Sequence, residues 1–247
     1  MNKFNLLNDG LFVNKVSKSY GNKKVIRDIT LNINSGQVVG LLGPNGAGKT
    51  TTFYTIVGLI KPDNGSVYLD KSDISSFPIY ARGKMGISYL PQEPSIFRGM
   101  NVEDNLLAVI EIIENDKSKQ EILLNNLLNE FDINHVRKSK SIVLSGGERR
   151  RLEIARTVES KPKYLLLDEP LTGIDPVSID EIKKIIQKLK NKNIGVLITD
   201  HNVRETLKIV DKVYIVNEGA IFFEGLPKDA IHDDKIKKFY LGKEFTL

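Results

Sequence analysis

The feature that most constrains the fold is the segment Gly43–Thr50, which reads GPNGAGKT. It follows a nearly continuous apolar run, Gln37 to Leu42, which predicts a buried parallel strand, and it precedes a predicted helix from Lys49 to Val57. The pattern G-x-x-x-x-G-K-[ST] is typical of a phosphate-binding loop, in which glycines let backbone N–H groups converge on phosphate oxygens. The sequence therefore predicts an α/β chain with a nucleotide site at the end of this strand.

Length and composition agree with one large domain, or with a core that carries a small inserted subdomain. The chain has 247 residues, 40% of them apolar and 27% charged. Its net charge of +5 suits phosphate ligands or an anionic membrane surface, although an ordinary basic protein has the same balance. The absence of cysteine excludes disulfides and thiolate metal sites, and the three histidines are too scattered for metal-ligand spacing.

Nothing in the sequence predicts a segment that enters a membrane. No apolar stretch approaches the roughly 18 residues that a spanning helix needs, and the first ten residues do not form a signal peptide. The expected compartment is the cytoplasm. If the protein works on a membrane, a partner must supply the spanning part.

Strand and helix signals alternate along the chain, which predicts a parallel sheet with helices on both faces. The alternating segment Leu11 to Val16 is expected to be an edge strand. The segment 94–160 is mostly helical and is predicted to be a subdomain inserted in the α/β core. One of its helices, Ser118 to Phe131, is expected to bury a stripe formed by Ile122, Leu123, Leu127 and Leu128.

Two acidic residues, Asp168 and Glu169, end a second buried strand, Lys163 to Leu167. A carboxylate at the C-terminal end of a strand lies where open α/β sheets bind ligands. Asp168 is expected to reach Mg²⁺, directly or through water, and Glu169 to polarise the attacking water as a general base. Lys49 is expected to hold the β- and γ-phosphates, and the Thr50 hydroxyl to bind Mg²⁺.

The segment Leu144–Arg149, which reads LSGGER, discriminates most between classes of nucleotide-binding protein. Adjacent glycines that open a helix predict a second phosphate-binding N-terminus. The alternative is a helix capped by Ser145, which explains the serine. It does not explain Gly146 and Gly147, which weaken a helix start unless another group must approach closely.

With these motifs in this order, the chain from about Leu11 to its C-terminus resembles the ATP-binding subunits of ABC transporters. The resemblance implies a P-loop NTPase (RecA-like) core with an antiparallel β subdomain and an inserted α-helical subdomain at about 94–160. It implies one ATP-binding domain over residues 1–247, in which residues 1–10 are predicted to be flexible. The cofactors implied are ATP and Mg²⁺.

The resemblance also assigns roles to residues outside the phosphate loop. Gln92 matches the glutamine that contacts Mg²⁺ and the membrane partner, and His201 the switch histidine that contacts the γ-phosphate. Two copies are expected to bind head to tail, as a homodimer with two composite sites. The residues expected to contact the partner's ATP are Ser145, Gly146, Gly147 and Asp175. The residues expected to bind ATP in their own chain are Tyr20, Gly43, Pro44, Asn45, Gly46, Ala47, Gly48, Lys49, Thr50 and Thr51.

Some of these roles have plain alternatives. Tyr20 is expected to stack on adenine, and the alternative is an aromatic residue of an edge strand that contacts no ligand. Taken alone, His201 is a surface imidazole, and its place after the strand Ile194 to Thr199 is what favours the switch role.

Within the family, several segments are similar to the ATPases of lipopolysaccharide-export systems. These are PQEPSIFR at 91–98, SGGERRR at 145–151, ITDHNVRET at 198–206 and YLG at 240–242. The similarity implies a homodimer on the cytoplasmic face of the inner membrane, beneath transmembrane permease subunits. Phe97 and Arg98 are expected to dock onto those subunits. For Phe97 the alternative is a place in the core of the helical subdomain.

Two other functions remain open on the sequence. The runner-up is the ATPase of a branched-chain amino-acid importer, whose motifs are of similar style. A different class is a soluble ABC ATPase, of which the iron–sulfur-assembly type fits this length. Translation factors of this class carry two ATPase units, whereas this chain has one set of motifs. DNA-repair types carry a long coiled coil or zinc cysteines, and this sequence has neither. No nucleic-acid partner is therefore expected.

Overall fold

Two β-sheets carry the fold, and a computed structural model describes residues 10–242. The predicted flexible segment 1–10 lies outside the described residues except for Gly10. The strands of the described part are β1 (Leu11–Tyr20), β2 (Lys23–Ile33), β3 (Val38–Leu42), β4 (Asn64–Leu69), β5 (Ser72–Asp73), β6 (Ile87–Leu90), β7 (Tyr164–Asp168), β8 (Gly195–Thr199), β9 (Lys212–Asn217) and β10 (Ala220–Gly225).

The helices pack around these sheets, and most begin where a polar side chain can cap them. They are α1 (Lys49–Val57), α2 (Ile79–Lys84), α3 (Val102–Ile113), α4 (Lys117–Glu130), α5 (Gly146–Val158), α6 (Pro176–Asn191), α7 (Val203–Leu207), α8 (Pro227–His232) and α9 (Asp234–Ile236). The side chains that accept a hydrogen bond from a backbone N–H in the first turn of a helix are those of Asn101, Asp116, Ser145, Asp175, Asn202 and Asp233.

The larger sheet has the order β10-β9-β3-β8-β7-β6, and only β10 runs antiparallel to its neighbour. Along β3, Val38 and Leu42 pack into one apolar cluster with the helices, whereas Val39 and Leu41 pack into a second cluster on the opposite face. Both faces are thus covered, as the continuous apolar runs predict. The carboxyl ends of β3, β7 and β8 lie at the same edge, so the loops after these strands come together.

The smaller sheet has the order β2-β1-β4-β5 and is antiparallel. The prediction that the first strand is an edge strand is wrong, because β1 pairs with both β2 and β4. Alternating apolar and polar residues report only that one face of a strand is buried. An inner strand of a sheet with one open face gives the same pattern.

Three helices, α3, α4 and α5, lie between β6 and β7 in the chain. The predicted stripe on α4 is wrong at one position, because Ile122 is 59% exposed while Leu124 is fully buried. Leu124, Leu127 and Leu128 follow the i, i+3, i+4 spacing that shares one helix face. Ile122 lies two residues before Leu124 and therefore points to another side, although its apolar side chain suggested burial.

Candidate active site

The phosphate loop follows β3 and ends in the first turn of α1. Its glycines are required by the backbone, since Gly43 has φ 149° and Gly48 has φ 105°. A Cβ at Gly43 would lie 2.2 Å from the carbonyl oxygen of Val216, and one at Gly48 would lie 2.8 Å from Cγ2 of Ile26. Other side chains would displace the loop from the sheet. The N-terminus of α1 thereby faces the hollow of the loop, as anion binding requires.

The Lys49 side chain lies across this loop and is only 8% exposed. Its Nζ donates to the carbonyl oxygens of Gly43 at 2.7 Å and Pro44 at 3.0 Å. Burial lowers the pKa of Lys49 below its ordinary value, while the nearby carboxylates of Glu169 and Asp168 oppose that shift. The loop therefore holds an ammonium group whose hydrogen bonds to backbone carbonyls could be replaced by hydrogen bonds to phosphate oxygens.

The remaining predicted residues of the loop differ in exposure. Asn45, Gly46 and Thr50 are exposed, and Ala47 is buried beneath them. Thr51 lies half-buried in the first turn of α1, where its carbonyl oxygen accepts from the Thr55 hydroxyl at 2.8 Å. The hydroxyl of Thr50 is thus open to a ligand at the mouth of the loop.

Asp168 ends β7 with its carboxylate buried and fixed by two hydroxyl groups. Thr199 Oγ1 donates to Oδ1 at 2.5 Å, and the Tyr89 hydroxyl donates to Oδ2 at 3.3 Å. Burial raises the pKa of Tyr89, so its phenol keeps the proton that it donates. Neither partner was predicted from the sequence. Asp168 and Thr199 are paired residues of the adjacent parallel strands β7 and β8. This pairing can be predicted only when the order of the strands in the sheet is known.

Glu169 contacts two residues that were predicted from separate motifs. Its Oε2 accepts from Gln92 Nε2 at 2.7 Å, and its Oε1 lies 2.6 Å from His201 Nε2. Its backbone is left-handed, with φ 49°, and its N–H donates to the carbonyl oxygen of Thr199 at 2.9 Å. Non-glycine residues seldom adopt this conformation, which often occurs at functional sites. The conformation aims the carboxylate between Gln92 and His201.

Arg150 holds the backbone of this site from α5, a role that was not predicted from the sequence. Its Nη2 donates to the carbonyl oxygens of Asp168 at 2.9 Å and Glu169 at 3.1 Å. Its Nη1 donates to the carbonyl oxygen of Pro91 at 3.1 Å. Three consecutive arginines, 149–151, gave no signal to single out the one that reaches the acidic residues of the site. The α5 helix is therefore tied to both acidic residues and to the residue before Gln92.

The N-terminus of α5 shows the helix cap that was the alternative reading of the SGG segment. Ser145 caps the helix, because its hydroxyl accepts from the Glu148 N–H at 3.2 Å while Glu148 Oε2 accepts from the Ser145 N–H at 2.9 Å. A Cβ at Gly147 would lie 2.1 Å from Ser178 Oγ, so contact with α6 within the chain already requires that glycine. Ser145 and Gly146 are exposed and free to face another molecule.

Asp175 also has a structural task. Its Oδ1 accepts from the Ser178 N–H at 3.0 Å. Hydrogen bonds from the backbone and side chain of Ser178 lower the pKa of the Asp175 carboxyl. The side chain caps α6 at an exposed position close to the start of α5. A cleft lies between this region and the acidic end of β7, and its lining includes Gln92, Gly146, Glu169 and Gly173.

The three residues predicted at the periphery are exposed. Tyr20 ends β1 and is 49% exposed, with Lys18 Nζ 5.9 Å from the centre of its ring. Phe97 is 46% exposed, which contradicts a place in the core, and its neighbour Ile96, at 8%, is the residue that the core takes up. Arg98 is exposed beside Phe97.

A phosphate loop after β3, together with two acids at the end of the parallel strand β7, two places away in the same sheet, defines a P-loop nucleotide-binding ATPase. Comparison with known proteins narrows the class. The sequence model described as "ABC transporter" matches residues 26–172, more than half of the chain. The chain belongs to the ABC transporter family, as one of its ATP-hydrolysing subunits.

Relatives and solved structures agree with this membership. The chain is 53% identical over 232 residues to the "Probable ABC transporter ATP-binding protein" of Azorhizobium caulinodans, covering 94% of this chain and 83% of the relative. It is 50% identical over 238 residues to the lipopolysaccharide export system ATP-binding protein LptB of Escherichia coli strain K12, covering 96% of this chain and 99% of LptB.

Among solved structures, the ADP conformation of MJ1267, an ATP-binding cassette of an ABC transporter, superimposes with a TM-score of 0.84. It is 28% identical in sequence, and the match covers 96% of this chain and all of the cassette. Within residues 10–242, no helix has the length and apolar character needed to cross a bilayer.

Proposed function

We propose that this chain hydrolyses ATP to power the extraction of lipopolysaccharide from the inner membrane and its export to the outer membrane. The observation that carries the proposal is the 50% identity to the lipopolysaccharide-export ATPase LptB across 96% of the chain. Two of the segments that resemble such ATPases, 91–98 and 198–206, lie around Gln92 and His201. One ATP-binding domain, with a helical insertion at about 94–160, would carry all of these parts.

The chemistry follows from the charges around the phosphate loop. Lys49 and the loop N–H groups would hold the β- and γ-phosphates, with Tyr20 against the adenine. Glu169 would orient and deprotonate the attacking water, while His201 and Gln92, which contact its two oxygens, hold its carboxylate toward the γ-phosphate. Arg150 would keep both acidic residues at a fixed depth below the nucleotide.

Mg²⁺ fits the donor set of this site. Thr50, Gln92 and Asp168 offer a hydroxyl, an amide and a carboxylate, the hard oxygen ligands that Mg²⁺ prefers. No cluster of three or more His, Cys, Asp or Glu side chains able to hold a metal occurs in residues 10–242. That suits an ion held mainly by nucleotide phosphates and water. Bound there, Mg²⁺ would neutralise charge on the phosphate oxygens.

We also propose that the active form is a head-to-tail homodimer, in which Ser145 and Gly146 of one copy contact the ATP of the other. Asp175, at the neighbouring helix start, would contribute to the same contact. Gly147 would serve it indirectly, by letting α5 and α6 approach each other. This assignment rests on the exposure of Ser145 and Gly146 at a helix N-terminus.

Mixing two inactive variants tests the dimer. In a mixed dimer of Lys49→Ala and Ser145→Arg chains, both defects fall in one composite site and the other site is intact. We expect ATPase activity to return on mixing, up to about one quarter of the parent rate when half of the chains pair with the other variant. Lys49→Ala mixed with itself is the control. Mixed dimers that form and stay inactive contradict the cross-subunit site.

The membrane side of the proposal rests on Phe97. A 46% exposed aromatic ring beside the exposed Arg98 is the kind of pair that often dominates a protein interface. The chain would lie at the cytoplasmic face of the inner membrane, beneath permease subunits that span it.

Phe97→Ala should leave the melting temperature of the isolated chain within about 2 °C of the parent, because a half-exposed ring contributes little to the core. The same variant should no longer copurify with its membrane subunits from detergent extracts. Ile96→Ala is the matched control, since a buried neighbour should cost about 2–5 kcal/mol of stability. A large fall in melting temperature for Phe97→Ala would argue against docking.

The transported molecule is tested in liposomes. The complex is purified from detergent-solubilised membranes through a tag on this chain, and it is reconstituted with lipopolysaccharide or with phospholipid alone. We expect lipopolysaccharide to leave the vesicles only with ATP and Mg²⁺, and not with the Glu169→Gln complex. Uptake of branched-chain amino acids instead, with no lipopolysaccharide release, would move the chain to the runner-up function.

A further inference from the structure

The exposed ring of Phe97 lies on a loop without regular secondary structure, residues Ser95–Met100. We call this segment the presenting loop. Ile96 inserts into the core and is 8% exposed, whereas Phe97 and Met100 are 46% and 42% exposed. Because two of these three side chains are exposed, the backbone around them depends on contacts with other parts of the chain.

Asn105 on α3 holds Phe97 from beneath. Its side chain is fully buried, and its Oδ1 accepts from the Phe97 N–H at 2.9 Å. Its Nδ2 donates to the carbonyl oxygen of Phe97 at 3.1 Å and to that of Asn101 at 2.9 Å. The same nitrogen lies 2.7 Å from Ser141 Oγ, so its two hydrogens are shared among three acceptors. One buried amide therefore grips both peptide groups of Phe97.

The other side of the presenting loop is held by α5. Glu153 Oε1 accepts from the Ser95 N–H at 3.0 Å, and Arg156 Nη1 donates to the Ser95 carbonyl oxygen at 2.7 Å. These two residues are three apart and thus share one helix face. The Arg156 guanidinium also lies 4.4 Å from the centre of the Phe97 ring. The backbone is thus fixed before and at Phe97, and one face of the ring is covered.

A third contact holds the end of the loop. The Ser141 hydroxyl, which touches Asn105, donates to the carbonyl oxygen of Met100 at 2.8 Å. Buried polar networks of this kind specify one conformation when every member has a partner. Holding an interface side chain in its bound orientation removes the ordering cost that association would otherwise impose. The Asn105 and Ser141 side chains, each with hydrogen-bond partners beneath a solvent-exposed aromatic, thus indicate a surface built for contact.

We propose that Asn105 is a positioning residue that holds the Phe97 backbone so that the ring meets the membrane subunits in a fixed orientation, an inference that rests on the docking role proposed above. The Asn105 side chain is fully buried and does not reach the surface on which Phe97 is exposed. It acts through the presenting loop, with Ser141 as its support.

Two variants test the hydrogen bonds of the Asn105 side-chain amide separately from the stability of the fold. Asn105→Leu keeps the size of the side chain and removes every hydrogen bond, and Ser141→Ala removes only the support of Asn105. Leu128→Ala is the control, because it creates a cavity in the same group of helices and removes none of the hydrogen bonds that hold the presenting loop. Each is made in the full chain, alone and as the complex purified with its membrane subunits.

The first measurement is amide hydrogen exchange of the isolated chain. We expect Asn105→Leu to speed exchange at the Phe97 amide by about 10-fold or more, and Ser141→Ala by less, because the N–H loses its acceptor in one case and a steadying contact in the other. Leu128→Ala should leave exchange at Phe97 unchanged relative to its neighbours. Unchanged exchange in Asn105→Leu overturns the proposal, and if that variant does not fold, unchanged exchange in Ser141→Ala does so.

The second measurement is the ratio of ATPase rates with and without the membrane subunits. In the complex, Asn105→Leu should lower this ratio as far as Phe97→Ala does, and the double variant should be no worse than either. Ser141→Ala serves here too where Asn105→Leu does not fold. A parent-like ratio for Asn105→Leu, alongside a lost ratio for Phe97→Ala, overturns the positioning role. A parent-like ratio for Phe97→Ala instead removes the docking role itself, and the proposal with it, whereas hydrogen exchange still reports whether Asn105 holds the loop.

Discussion

Glu169→Gln should bind ATP and hydrolyse it at least about 100-fold more slowly than the parent, the scale of a lost general base. The substitution keeps the shape of the side chain. A glutamine oxygen can still accept from Gln92, and its amide can face His201, so the local structure should survive. What disappears is the negative charge that draws a proton from water. The measurement is steady-state ATPase activity with Mg²⁺.

The same variant should change the oligomeric state. If ATP closes the dimer and hydrolysis reopens it, Glu169→Gln should accumulate as a dimer with ATP and Mg²⁺, and size-exclusion chromatography would detect it. Glu111→Gln, the same chemical change at an exposed position on α3, is the control and should behave like the parent. Hydrolysis at the parent rate by Glu169→Gln would show that another group activates the water.

Local sequence patterns predicted the elements that carry this site. The helix α1 spans Lys49–Val57, as predicted, because the phosphate-loop pattern fixes where a helix must begin and Gly58 marks where it ends. The buried strands were evident because strands covered on both faces are apolar throughout. Glu169 could be placed at the C-terminal edge of the sheet because parallel strands share that edge.

What the sequence could not supply depends on which strands and helices are neighbours. Thr199 contacts Asp168 only because β8 lies beside β7, and neither residue is near the other in the chain. Asn105 looks like any polar residue of an amphipathic helix, since its burial depends on a loop that folds over it. Arg150 is one of three adjacent arginines, and the helix rotation that turns it inward becomes apparent only once the partners of α5 are known.

The same limit explains the two wrong predictions. An alternating strand is equally suited to an edge or an interior place in a sheet with one open face, so β1 was misplaced. Ile122 was expected in the α4 stripe on hydrophobicity, but the face that packs is set by the register of Leu124, Leu127 and Leu128. In both cases the local pattern identified the type of element correctly, but its place in the sheet or its buried face was set by the elements that pack against it.

Lys49→Ala should lower the ATPase rate by at least about 100-fold, the scale expected on losing one preorganised charged donor at the transition state. In the free chain, Lys49 Nζ donates to the carbonyl oxygens of Gly43 and Pro44. Removing the ammonium leaves those carbonyls and the nearby acids of β7 facing the place of the phosphates without an opposing charge. Lys184→Ala, on the exposed side of α6, is the matched control and should keep the parent rate.

The loss should also appear as a missing effect of ligand on stability. A ligand at about 100 times its dissociation constant stabilises a folded protein by about 2.7 kcal/mol, so ATP with Mg²⁺ should raise the melting temperature of the parent by several degrees. If Lys49 holds the β- and γ-phosphates, the rise should be much smaller in Lys49→Ala, while ADP, which lacks the γ-phosphate, should separate the two variants less. An equal rise with ATP in both proteins, together with near-normal hydrolysis, would contradict the assignment of Gly43–Thr50 as the phosphate loop.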